Sequence, residues 1–430
     1  MTAVVGILNK HAVAVAADSA VTIGSSDNHK IFNKANKVFE LSKFHPVGIM
    51  LYNSASFMST PWETIIKVYR KQLYNRNFPK LEDYLHDFIE FLRLKGFFTD
   101  LEMQNLYLEN LSLNVINTII AEVNRNNDML LKDPNPENKA EFLRLFQNQL
   151  IDFLSLPKDN VKYCPEFEDY SFSQFDNFST IVIENLINFH FTRNNFEVTQ
   201  EMKLNIKKVI YEILKRRETI TNYTGLIFTG FGEDEIYPQL IPINVSMAID
   251  GRLRFYIDDN SKVSISNQIN GAVRPFAQTD VIETILQGID PNLDEIYIQN
   301  FRKTFDKYNQ AIVEIIGKTY PELGKAISNL DVGIVVNELE KMNLQIKREN
   351  YINPLMNAVS SLSKEDLAEM AESLIYLTYL KRRITFAEES VGGPVDVAVI
   401  SKGDGFVWIK RKHYFRPELN HHFFENYLKK

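Results

Sequence analysis

The chain has 430 residues, 45% of them hydrophobic and 24% charged, with a formal net charge of -7. That length and apolar content allow a sizeable core in one large domain or in two or three small ones. The charge is spread without long runs, so no field favours nucleic acid. A single cysteine, Cys164, excludes an internal disulfide and a cysteine-rich zinc site. No stretch approaches the roughly 18 apolar residues of a membrane helix. The first residues also lack the basic, apolar and small-residue succession of a secretory signal. The expected location is the cytoplasm, with no nucleic-acid or membrane partner.

Residues 3–8 and 12–17 are β-rich runs split by Asn9-Lys10-His11, which predicts a hairpin whose second strand is largely buried. Short strands are expected at 31–32, 38–41 and 47–51. Ser59-Thr60-Pro61-Trp62-Glu63 supplies a cap, an early proline and an acidic first turn for a helix to about Leu73. A second amphipathic helix is expected at Leu81–Leu94. Residues 98–217 read as mostly helical, with polar gaps at 132–138 and 156–169. Strands return at 226–228, 240–249 and 253–257. Helices are expected at 280–288, at 293–318, in part of 334–347, and strongly at 364–383, where Ser363 is a candidate cap with Asp366 three residues on. The turn Val391-Gly392-Gly393-Pro394 feeds a strand through Ile400, and a hairpin at 402–405 leads into 406–409. This succession predicts an α+β fold, a sandwich of two sheets covered by helices on both sides. There is no internal repeat, low-complexity tract or glycine-rich phosphate loop.

Thr2 has chemistry to offer once Met1 is removed. A terminal threonine carries a hydroxyl nucleophile and an α-amine of pKa about 7.7–8.0 on one residue. The amine takes the hydroxyl proton as general base, so no histidine is needed. Many chains begin Met-Thr, so the threonine alone is a weak signal. Asp18 ends the apolar strand 12–17, where an unpaired charge is costly. Its plainer reading is a cap for the following turn. Its sharper reading is the partner of a lysine in the same cavity, whose ammonium lowers the amine's pKa and steadies the alkoxide.

These residues resemble the start of a proteasome β-subunit or of the peptidase subunit of the bacterial ATP-dependent protease. Both are threonine-type N-terminal-nucleophile hydrolases. The matching text is Thr2-Ala3-Val4-Val5-Gly6-Ile7, Lys10-His11 at the turn, Val13-Ala14-Val15-Ala16-Ala17-Asp18-Ser19, Thr22 and Gly24. The resemblance implies a four-layer αββα sandwich with Thr2 as nucleophile and Asp18 beside a catalytic lysine. Counting from Thr2 without a gap points to Lys34. The local text Lys37-Val38-Phe39-Glu40-Leu41 points to Lys37, with about three residues inserted after Gly24. The insertion is the cheaper error, because a shifted strand register buries polar residues. Thr22 resembles the residue whose backbone holds an extended substrate by strand addition. In Gly48-Ile49-Met50-Leu51-Tyr52-Asn53, the resemblance puts an oxyanion-hole N–H at Tyr52 or Asn53.

Further on, Gly230-Phe231-Gly232-Glu233-Asp234 and Asp250-Gly251 resemble the family's central glycine turn and hairpin. Val391-Gly392-Gly393 with Asp396-Val397-Ala398-Val399 resembles its Ser-Gly-Gly turn and closing strand. Three supporting positions depart from the pattern. Val391 stands where the family has serine, Glu388 where it has aspartate (Glu389 being an equally plain candidate), and Ala272 where it has a second serine.

The organisation implied is a first half of the sandwich at 2–97, a helical insertion at 98–217 and a second half at 218–430, with a further insertion around 291–350. The function implied is cleavage of peptide amide bonds by Thr2. A small-molecule amidohydrolase and a catalytically silent scaffold or assembly protein are the alternatives. The partners implied are a peptide or protein substrate and further copies of the chain, and the resemblance also admits an unfoldase or other helper protein. No cofactor is expected, and the eight histidines show no ligand spacing that predicts a metal.

Overall fold

The computed structural model describes residues 2–25, 28–32, 35–94, 96–97, 100–126, 135–220, 222–329, 331–385 and 391–428. The first strands are β1 (Ala3–Asn9), β2 (Val13–Ala17), β3 (Val21–Ser25), β4 (Asn28–Phe32), β5 (Val38–Glu40) and β6 (Val47–Asn53), followed by the short β7 (Ser56–Phe57) and β8 (Thr60–Pro61). Six helices follow: α1 (Trp62–Leu73), α2 (Leu81–Leu94), α3 (Leu101–Asn126), α4 (Pro136–Ser155), α5 (Phe172–His190) and α6 (Gln200–Lys215). Next come β9 (Thr224–Gly230), β10 (Gln239–Ile249), β11 (Arg252–Ile257), β12 (Val263–Ser264) and β13 (Gly271–Ala277). The helices α7 (Asp280–Gln287), α8 (Pro291–Thr319), α9 (Pro321–Ser328), α10 (Val332–Lys347), α11 (Asn353–Ser361) and α12 (Lys364–Ile384) lead to β14 (Asp396–Ser401), β15 (Gly405–Lys410) and α13 (His421–Leu428).

The chain groups into two compact units, one of residues 1–50, 229–240 and 263–430, the other of 51–228 and 241–262. The first unit holds a five-stranded sheet of order β13-β1-β2-β14-β15, in which every neighbouring pair is antiparallel. One face, carrying Val5, Ile7, Ala14, Ala16, Val397 and Val399, packs on Val359 of α11 and on Leu367, Ala371, Leu374 and Ile375 of α12. The other face meets the first unit's share of a second sheet. There a Cβ on Gly6 would lie 2.6 Å from Leu240 Cδ1, so a side chain at that position would require the Leu240 side chain to shift.

The β1–β2 turn is held by Asn9, which is fully buried. Its Oδ1 accepts the N–H groups of His11 (2.9 Å) and Ala12 (3.2 Å), and its Nδ2 donates to the Val359 and Leu362 carbonyls that end α11. One side chain thus closes the hairpin and satisfies helix-end acceptors. The expected capping of α12 is present: Ser363 and Asp366 form a reciprocal capping box. The expected cap of α1 is not. Its N-cap is Pro61, without a side-chain hydrogen bond, and Thr60 is drawn into the small β7–β8 ladder instead. β3 and β13 are strands that the sequence pattern did not predict.

The second unit is mainly helical. Trp62 stacks on Phe57 and donates its indole N–H to Thr224, while Phe88 meets Phe228 edge to face. Helices α3 to α6 bury a separate cluster that includes Phe142, Phe146, Phe175, Ile187, Ile206 and Ile210, with Met247, Ile249 and Tyr256 from β10 and β11. The buried Arg254 closes the end of α6, donating to the carbonyls of Leu214 (2.8 Å), Arg216 (2.6 Å) and Glu218 (2.8 Å). The fold is therefore αβ, with sheets flanked by helices in each unit.

Candidate functional site

Val4 lies opposite Ala17 in the β1–β2 ladder, so the start of one strand meets the end of the other. The residues just beyond, Thr2-Ala3 and Asp18-Ser19, are locked by two reciprocal bonds. Asp18 N–H donates to the Ala3 carbonyl (3.2 Å), and Ala3 N–H donates to Asp18 Oδ1 (2.9 Å). Across the other edge of β1, the Thr2 carbonyl accepts the Gln278 N–H at 3.1 Å, which continues the β1–β13 ladder. The unpredicted β13 is therefore part of what fixes Thr2.

Asp18 is 1% exposed, and its carboxylate is fully engaged. Oδ2 accepts N–H groups from Ala20 (3.0 Å) and Gly392 (3.1 Å). Oδ1, besides Ala3, accepts the Lys37 ammonium at 2.6 Å. Lys37 is likewise 1% exposed and also donates to the Ala20 carbonyl at 2.5 Å. A buried carboxylate survives only with partners of this kind. Burial pushes the Lys37 ammonium down from its ordinary value, against the opposing pull of Asp18. The plainer reading of Asp18, a cap for the next turn, is also visible, since Ala20 N–H is one of its donors.

The Gly392 turn is tied to the same place. Ser19 N–H donates to the Gly392 carbonyl (3.0 Å), and the Ser19 hydroxyl donates to that of Pro394. Gly393 has φ +77°, a left-handed conformation that explains the glycine. Val391, in the position where the resemblance expects serine, is fully buried among apolar side chains. Ala272 is 6% exposed and pairs with Leu8 in the β13 ladder.

A second buried ion pair stands nearby. Asp396 opens β14 opposite Ala17, the residue before Asp18. Its Oδ1 accepts the Lys412 N–H (2.9 Å), and its Oδ2 accepts the Lys412 ammonium. Sequence reasoning named Asp396 only as part of the closing-strand motif, with no site role, and passed over Lys412. The signal was there for Asp396, a carboxylate at the end of an apolar strand like Asp18, whereas Lys412 lies in no pattern.

The remaining expected site residues are distributed as follows. Lys34 and Glu388, with its alternative Glu389, lie outside the described residues. Thr22 lies in β3, paired in register with Ile31 of β4. Tyr52 and Asn53 belong to the second unit. There the Tyr52 ring fills the space above Gly225, where a Cβ would lie 2.0 Å from it, and meets Tyr223 edge to face. Burial holds the Tyr52 phenol well above its ordinary pKa. Asn53 has φ +69°, and its Nδ2 donates to the Tyr223 carbonyl at 2.8 Å. Among the described residues no three His, Cys, Asp or Glu side chains gather as a metal would require, and no helix is long and apolar enough to cross a membrane.

No protein-family model matches the chain, and neither does any curated protein. Among solved structures it is similar to Anbu (a Gly-1 mutant) from Hyphomicrobium sp. strain MC1, at 9% identity and a TM-score of 0.28, over 100% of this chain and 98% of that one. A likeness at that level carries no argument about chemistry. What the arrangement offers chemically rests on its own geometry. It is a buried ion pair of Lys37 and Asp18, whose carboxylate also accepts the N–H of Ala3, the residue after Thr2.

Proposed function

We propose that the chain is a threonine-type N-terminal-nucleophile hydrolase, built on an αββα sandwich, that cleaves amide bonds in peptides. In this reading removal of Met1 exposes Thr2. The Thr2 hydroxyl attacks the carbonyl carbon, its own α-amine takes the proton and later delivers it to the leaving amine, and water resolves the ester. Lys37, held by Asp18, supplies positive charge where the amine must stay neutral and where negative charge develops. The observation that carries the reading is the buried Asp18–Lys37 pair, whose carboxylate also accepts the amide immediately following Thr2.

The test is the intact mass of the purified protein after treatment with an epoxyketone or β-lactone, beside Thr2→Ala. A chain lacking Met1 that gains one adduct, lost in the variant, supports the reading. A processed chain that gains none sinks it. A second reading, a silent scaffold on the same sandwich, is favoured by the buried hydrocarbon of Val391 and Ala272 where the resemblance expects hydroxyls. It predicts the second result.

A further inference from the structure

The Asp396–Lys412 pair has no place in the scheme above, yet both its charges are withdrawn from water, with side chains 3% and 10% exposed. A buried ion pair is a poor source of stability, because the desolvation penalty consumes most of the Coulombic gain. It therefore calls for another account. Its position supplies one. Asp396 is in register with Ala17, one residue before Asp18, and follows directly on the 391–395 segment whose Gly392 N–H and carbonyl grip Asp18 and Ser19.

We propose that Asp396 and Lys412 are positioning residues of the Asp18–Lys37 site, seating the Gly392 turn under Asp18 and presenting Lys37 with two opposed charges that cancel only while the pair is intact. Among the described residues, the charged groups that act on Lys37 are Asp18, Lys412 and Asp396. Lys412 disfavours the ammonium and Asp396 favours it, in support of the geometry. Breaking the pair from either side leaves one of those charges uncompensated. The two halves must therefore push Lys37 in opposite directions.

The proposal rests on Lys37 belonging to the proposed site, but its test needs no catalysis. The Lys37 side-chain resonance is followed by NMR in protein labelled at lysine Cε and Nζ, and is assigned by its loss in Lys37→Arg. In Lys412→Met the bare Asp396 carboxylate should move the Lys37 titration to higher pH. In Asp396→Asn the bare Lys412 ammonium should move it to lower pH. In Asp396→Asn/Lys412→Met, where no net charge is left behind and folding is least at risk, the midpoint should return close to that of the unaltered protein. Shifts of one sign in both single variants would mean general loosening of the core and overturn the proposal, as would no shift in either. Failure of the covalent probe on Thr2 with opposite NMR shifts intact would defeat the hydrolase reading and leave the coupling standing.

Discussion

Asp18 and Lys37 provide the sharpest quantitative test, a double-mutant cycle on a buried pair. Lys37→Met leaves the Asp18 carboxylate buried without its counter-ion, and Asp18→Asn leaves the Lys37 ammonium in the same position. Each loss should cost about 3–5 kcal/mol, the usual range for removing one partner of a buried ion pair. The double variant carries no uncompensated charge. Its asparagine can still accept the Ala20 and Gly392 amides through one oxygen, leaving chiefly the Ala3 N–H and the Ala20 carbonyl without partners, at about 1–3 kcal/mol each. The double should therefore cost less than the two singles combined, by about 3 kcal/mol or more. Urea unfolding followed through the fluorescence of Trp408, which lies on β15 in the same unit, measures all three variants. Additivity within about 0.5 kcal/mol, or singles costing under about 1 kcal/mol as exposed pairs do, would refute the burial argument.

The other predictions concern pH and two packing sites in the second unit. Because burial lowers the Lys37 pKa, the folded state binds fewer protons at that site than the unfolded state between the lowered value and 10.5. The cost of charging Lys37 is full at low pH and is relieved as pH rises through that window. Stability of the unaltered protein relative to Asp18→Asn/Lys37→Met should therefore increase toward pH 10.5, and a flat difference in urea midpoints would contradict it. Arg254→Met strips the donor from three carbonyls at the end of α6 and should cost about 3 kcal/mol or more, seen as early loss of helical circular dichroism. Gly225→Ala drives a methyl into the Tyr52 ring and should cost about 1–3 kcal/mol. Adding Tyr52→Ala should recover part of that loss in thermal melts, and no recovery would place the strain elsewhere.

Local pattern and tertiary pairing contributed differently to what could be read in the chain. The continuous apolar runs of β1 and β2, the amphipathic α2 and the Ser363 capping box were legible because each depends on neighbours a few residues away. Asp18 and Lys37 were legible for a related reason. A carboxylate ending an apolar strand demands a partner, and the resemblance, through the Lys-Val-Phe text, pointed to Lys37 with Lys34 as the alternative. The stretch Ser59–Glu63 misled because it was read as supplying a cap, while the β7–β8 ladder claimed Thr60 and left Pro61 as the N-cap. β13 stayed hidden because Arg274 and Pro275 break its pattern, and it became a strand by pairing with β1. Arg254 and Lys412 were beyond any pattern, and nothing local named the partners of Asn9 or Asp396. Asn9 reaches carbonyls some 350 residues away and Lys412, beyond the end of β15, closes on a carboxylate of β14, so neither partnership leaves a local trace. The sequence by itself determined where charge had to be compensated inside the first hairpin. Only the tertiary structure decided which distant groups compensate it, because in a buried site the partner is chosen by spatial proximity and by the cost of leaving a charge alone, not by separation along the chain.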